Sequence, residues 1–258
     1  MTRAICVIPA RLAASRFPDK PLAKMLGLPL ILHVWHRCRL YDGFERVLVA
    51  TCDEAIRDCV VAAGGEAVMT LDTHERATDR VQEAVDKLDL NLDDRDLVVM
   101  VQGDEALTSP AIIAEIVEAY KRDLPAVVNL GSRLYRQEDH DDPNTVKVVT
   151  DPAGRALYFS RAPIPSRARV GDVAAYQQTG VMGFSAAFLN QFSSLPQTPL
   201  EKIESVDMMR VLEHGLPLSV VRTEVETVGV DTPADLARAE AFLRADPLTA
   251  TYMDVTSR

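Results

Sequence analysis

The chain has 258 residues, a formal net charge of -10 and 47% hydrophobic residues, with a mean hydropathy near zero. It contains no uninterrupted apolar run of about 18 residues, which excludes a spanning helix, and its acidity argues against non-specific nucleic-acid binding. Cys6, Cys38, Cys52 and Cys59 lie in apolar patterns without CxxC spacing; buried thiols are expected, not disulfides or a zinc site.

The amino terminus enters an apolar run at once, leaving no room for a signal peptide, so a cytoplasmic protein is expected. Ile5–Pro9 reads as a buried strand that breaks at Pro9 into the loop ARLAASRFPDKPL. Arg11, Arg16 and Lys20 on that loop place three cations at a strand's carboxyl end, where open α/β sheets bind ligands. Ala13, Ala14 and Ser15 are small enough for a ligand to approach the backbone. This chemistry suits a polyphosphate, although the loop is not glycine-rich. A solvated basic loop is the alternative for the cations taken alone.

Further strands are expected at Arg46–Ala50, Ala67–Met69, Leu97–Val101 and Val127–Leu130, alternating with helices at Leu30–Tyr41, Asp53–Ala63, Thr78–Lys87 and Pro110–Arg122. Thr51 and Asp53 offer N-cap chemistry, Gly64-Gly65 a C-cap, and Pro110 an N1 position. The alternation predicts a mostly parallel sheet covered by helices. Beyond residue 130, VKVVTD, ALYFSR and GVMGFS read as strands between turn-rich segments that include Asp151-Pro152, Gly154 and Gly171-Asp172. Pro199–His214 reads as one helix closed by Gly215, LSVVRT as a strand, and GVDTPADLARAEAFL as a loop with Pro233 opening the last helix. The organisation expected is a single domain over 1–258, with 131–200 as an inserted lobe.

Immediately after LVVMV comes Gln102-Gly103-Asp104-Glu105, where Gly103 permits a sharp turn and two carboxylates reach the sheet edge that carries the basic loop. Carboxylates facing a polyphosphate need a cation between them. Mg²⁺ takes one or two protein carboxylates plus phosphate oxygens, which Asp104 and Asp231 could supply. Asp231 could instead cap the last helix, unless Thr232 takes that place.

Taken in order, IPARLAASRFPDKPL, VLVATCDEAI, THERATDR, VQGDE, PNTVKVVTD, ALYFSRAPIP, LEKIES and GVDTPADL resemble the 3-deoxy-manno-octulosonate (KDO) cytidylyltransferase family over nearly the whole chain. The resemblance implies an α/β, Rossmann-like nucleotide-sugar transferase fold with an inserted smaller β-rich lobe, 131–200, for acceptor binding and dimerisation. It implies attack of a 3-deoxy-2-ulosonic acid's anomeric hydroxyl on the α-phosphate of CTP, release of pyrophosphate, Mg²⁺ as cofactor and a homodimer. Carried onto this sequence, it gives Arg11, Arg16, Lys20 and Asp104 catalytic roles and makes Asp104 and Asp231 the metal ligands. Ala10, Arg11, Lys20, Thr78, Asp79, Arg80 and Gln102 would bind nucleotide, and Gln102, Arg161, Gln178, Glu204, Asp207 and Met208 the acceptor.

The departures from the family pattern concentrate around the ligands. Arg76 and Ala77 replace a usual Ser-Gly before Thr78-Asp79-Arg80, and Asp19 a glycine beside Lys20. Gln178 stands for a histidine, Met208 for a glutamine, and GVMGF, with Met182 and Phe184, for a strand with two tyrosines. An altered acceptor pocket is therefore expected, with a less hydroxylated or otherwise different acidic acceptor preferred to KDO. A paralogue that binds nucleotide without chemistry is the competing reading, disfavoured because Lys20, Asp104 and Asp231 are all retained.

Overall fold

The computed structural model describes residues 2–13, 17–88, 90–170 and 173–256. The first strand, β1 (Ala4–Ala10), is buried at every position. It pairs in parallel with β4 (Arg46–Thr51) on one side and with β6 (Leu97–Val101) on the other. A strand covered on both faces needs apolar side chains in succession, which is why ICVI is a continuous run and not an alternating one. Ile5 and Val7 join one hydrophobic cluster, Cys6 and Ile8 the other. The strand continues through Pro9, which pairs with Ala50.

A short 3-10 helix (Lys20–Leu22) and a hairpin of β2 (Lys24–Met25) and β3 (Leu28–Pro29) lead into α1 (Leu30–Arg39). Then follow α2 (Glu54–Ala62), β5 (Glu66–Met69), α3 (Ala77–Lys87), α4 (Pro110–Asp123) and β7 (Val127–Leu134). The expected α/β alternation is present, with ends displaced by a few residues. Asp53 occupies the N-cap of α2 without capping it. Its carboxylate instead accepts the Leu12 amide at 2.8 Å, tying the basic loop to the end of β4.

The remaining elements are α5 (Gln137–Asp141), β8 (Lys147–Thr150), β9 (Ala156–Ser160), β10 (Ala175–Ser185), α6 (Ala186–Ser194), α7 (Pro199–Glu204), α8 (Met208–Glu213), β11 (Ser219–Thr223), α9 (Pro233–Ala245) and α10 (Pro247–Thr256). Across the main sheet the order is β11-β7-β10-β6-β1-β4-β5. Only β10 runs antiparallel within it. The stretch 131–200 is thus continuous with the main sheet: β10 runs between β6 and β7, and β8 and β9 hang from its first residues.

The single helix expected over Pro199–His214 is two helices. Ser205 adopts a left-handed conformation (φ 52°) and the Val206 amide returns to the Glu201 carbonyl, a helix-ending pattern. Between them the Glu201 carboxylate, wholly buried, receives Arg210 at 2.6 and 2.8 Å. Periodicity is blind to this turn because Val206 within it and Met209 beyond it are both buried at helical spacing. None of the helices among the described residues is long and apolar enough to cross a membrane.

Candidate active site

The loops that follow β1, β5 and β6 meet the break between α7 and α8 and the segment before α9. The Gln102-Gly103-Asp104 turn is locked onto β1 by a hydrogen bond from the Gly103 amide to the Pro9 carbonyl, 3.2 Å. A Cβ on Gly103 would come within 3.0 Å of that carbonyl oxygen. Gly103 is needed for this close approach; its φ is not positive. On the other side, the Val230 amide donates to the Asp104 carbonyl at 3.1 Å. Thr232 caps α9 through a reciprocal arrangement with Asp235. Asp231 is thereby spared capping and turns its carboxylate to Lys20.

Lys20 Nζ lies 2.7 Å from Asp104 and 3.2 Å from Asp231. Burial works against its ammonium, but the two carboxylates outweigh burial and raise its pKa. Next along the chain, Glu105 is buried and accepts the Gly180 amide at 2.5 Å. Burial, and then the charge of Asp104, push its pKa up to about 7.

Two cavities open from this point. The first, about 540 Å³, is lined by Ala10, Arg11, Lys20, His74, Arg76 and Arg80 among others. The second, about 380 Å³, is lined by residues that include Glu105, Arg161, Gln178, Thr179 and Met182. Gln102, Asp104, Ser205, Asp207 and Asp231 border both. The carboxylate pair therefore stands at the junction of a basic cavity and a polar one. This is the arrangement a group transfer between two bound molecules requires.

Ala10, Arg11, Lys20, Arg80, Gln102, Asp104 and Asp231 come together at the first cavity. Arg80 is buried, its Nη1 donates to the Leu71 carbonyl at 3.1 Å, and its Nη2 has no partner among the described residues. Arg16, with Ala14 and Ser15, lies outside the described residues. Thr78 borders neither cavity: it is buried and its hydroxyl donates to Asp207 at 2.6 Å. Asp79, also away from both, has a raised pKa caused chiefly by burial.

At the second cavity, Arg161 spends its Nε on the Glu204 carbonyl (2.6 Å) and its Nη1 on the Pro143 carbonyl (3.0 Å). Glu204 does not line the cavity. Its carboxylate receives the Tyr158 and Ser160 hydroxyls and the Arg161 amide, and so fastens the end of β9 to α7. Met208, expected to contact the acceptor, is wholly enclosed in the hydrophobic cluster on one face of the sheet, as is Phe184. The α7–α8 turn buries Met208 and leaves Asp207, expected beside it, at both cavities. Ser205, which borders both cavities, was not anticipated, because a helix break places it there.

Arg76 fills part of the first cavity's wall. Its Nε approaches Glu201 at 3.4 Å, so that carboxylate is shared between Arg210 and Arg76. The guanidinium spans α3 and α7 where the family pattern has a serine.

A family model described as Cytidylyltransferase matches residues 5–223. The chain belongs to the cytidylyltransferase family. It is 40% identical over 248 residues to the 3-deoxy-manno-octulosonate cytidylyltransferase of Thermodesulfovibrio yellowstonii, covering 93% of this chain and 97% of that one. It is equally similar, 40% over 242 residues, to an 8-amino-3,8-dideoxy-manno-octulosonate cytidylyltransferase of Shewanella amazonensis, covering 93% and 98%. Among solved structures, a CMP:2-keto-3-deoxy-manno-octonic acid synthetase complexed with CTP superposes with a TM-score of 0.85 at 33% identity, covering 95% of this chain and 99% of the other. As a cytidylyltransferase the chain is a CTP-dependent nucleotidyltransferase with a mostly parallel α/β sheet.

The residues present suit a divalent cation. Among the described residues no cage of three or more His, Cys, Asp or Glu side chains exists. Asp104 and Asp231 are hard oxygen donors held near one ammonium, and an ion on them would complete its shell with phosphate oxygens and water.

Proposed function

We propose that this chain transfers CMP from CTP to the anomeric hydroxyl of a 3-deoxy-2-ulosonic acid, releasing pyrophosphate, with Mg²⁺ held by Asp104 and Asp231. The observation that carries this reading is the placement of Lys20, Asp104 and Asp231 where the two cavities meet. The relatives named for KDO and for its 8-amino form support the substrate class.

CTP occupies the first cavity, with Arg11 and Lys20 on its phosphates and Arg80 beneath. The acceptor occupies the second, bordered by Gln102, Arg161 and Gln178. The acceptor's hydroxyl oxygen forms a bond to the α-phosphorus as the bond from that phosphorus to the bridging oxygen of pyrophosphate breaks. The hydroxyl proton is lost to solvent base. When bound, Mg²⁺ supplies charge neutralisation at the phosphate oxygens. Lys20 adds a preorganised positive charge where phosphoryl charge develops. The acid group of the acceptor meets Arg161, whose guanidinium keeps donors beyond the carbonyls it already serves.

A second acceptor reading, an amino-substituted ulosonic acid, is supported by the 40% identity to the 8-amino enzyme and by the atypical Gln178 and Met182 in the wall. Pyrophosphate release across the four NTPs, with KDO, its 8-amino analogue and other acidic acceptors, tests both. Release with CTP alone and no acceptor dependence would reject acceptor transfer. We further propose a cytoplasmic homodimer formed through 131–200, where Tyr135, Leu157 and Val170 are exposed large apolar side chains. Light scattering of the purified chain checks the dimer.

A further inference from the structure

Strand β10 is irregular where it borders the second cavity. Its pairing with β7 runs from Ala175 to Gln178, slips, and resumes at Met182 opposite Asn129. Asn129 fills the irregularity and is 1% exposed. Its Nδ2 lies 3.1 Å from the Thr179 carbonyl, 3.2 Å from that of Val181 and 3.2 Å from that of Leu130. Carbonyl oxygens only accept, so the end of Asn129 facing them must be its amide nitrogen, and its Oδ1 faces elsewhere.

That oxygen lies 2.8 Å from Gln178 Nε2. An amide oxygen has no proton to give, so Gln178 is the donor, and its own orientation is settled in turn. Its nitrogen is drawn back toward β7 and its Oε1 is left for the cavity that Gln178 lines.

We propose that Gln178, with its amide turned by Asn129, presents a hydrogen-bond acceptor to the second cavity and selects a sugar acid that donates there through a hydroxyl or an ammonium group. Gln178 is the specificity-determining residue and Asn129 a positioning residue. An imidazole at this place, as in the family pattern, could offer either a donor or an acceptor by changing tautomer. A carboxamide held by a buried neighbour has its oxygen fixed. This inference rests on the ulosonic-acid reading above.

The test is pyrophosphate release with CTP and acceptor analogues in which one hydroxyl at a time is replaced by hydrogen, fluorine or an amino group. At one position the hydrogen and fluorine analogues should both lose about 10- to 100-fold in kcat/KM, as expected for one hydrogen bond to a site left unpaired. The amino analogue at that position should be retained; if it surpasses the hydroxyl compound, the natural donor is an ammonium group. Gln178→Met should shrink the penalty to less than about 3-fold, because the pair no longer couples. Asn129→Ser should relax the same preference while leaving KM for CTP unchanged. If Asn129→Ser does not fold, Gln178→Met carries the test. A fluorine analogue as good as the hydroxyl compound would mean that Gln178 donates, and would overturn the proposal. So would a penalty unchanged in Gln178→Met. No turnover of any ulosonic acid by the wild type is a different result, which removes the acceptor reading and this inference with it.

Discussion

Lys20 Nζ lies 2.7 Å from the Asp104 carboxylate, although 84 residues separate them in the chain. The pair joins the loop after β1 to the loop after β6, and Asp231 completes it from the segment before α9. An ammonium lodged between two acids is held in its charged form by both of them, against the burial that opposes it.

Asp104→Asn should keep the fold and abolish most pyrophosphate release, since an amide brings no charge to hold an ion against phosphate. Excess chelator should do the same to the wild type. Undiminished rates in chelator would refute the metal assignment.

Lys20→Ala should lower kcat by about 10²-fold or more, with a smaller change in the KM for CTP, as for losing one preorganised donor to developing charge. A rise in KM alone would make Lys20 a ground-state binder.

Glu201→Gln should destabilise the protein by about 3–5 kcal/mol, because Arg210 is 3% exposed and would be left without its counter-charge. Arg76 loses the same partner, so KM for CTP should rise as the cavity wall loosens. Urea denaturation and initial rates read the two effects separately.

Met208→Gln should not improve activity on KDO. Met208 has no exposure, so the change buries an amide in an apolar cluster at a cost of about 1–3 kcal/mol. Gln178→His alone is the replacement that reaches the second cavity. Melting temperatures and kcat/KM for KDO, measured on both single variants, distinguish a core position from a ligand position.

Glu105 gives the metal-free protein a pH dependence. Its folded pKa, about 7, stands above the ordinary value of 4.5, so the folded state holds the proton more tightly. The associated stability is full below pH 4.5 and is lost as pH rises through about 7. The loss amounts to about 3 kcal/mol. Glu105→Gln should flatten that part of the profile; an equally steep profile in the variant would reject the assignment.

The sequence by itself determined the α/β alternation, because strands buried on both faces must be apolar throughout and helices between them must cap and periodically bury one stripe. It determined the candidate metal and phosphate groups as well: Lys20, Asp104 and Asp231 each follow an apolar strand or precede a capped helix, positions whose chemistry is written locally. Only the tertiary structure decided which side chains at the second cavity face a ligand. The chain turns at Ser205 because Glu201 and Arg210 are paired across the break, a contact between helices that no periodicity registers, and that turn keeps Asp207 at the cavities while burying Met208. Likewise Asn129 is one more polar residue in a strand when read in sequence. Its effect on Gln178 exists because β7 and β10 pair with a slip that leaves three backbone carbonyls facing one amide.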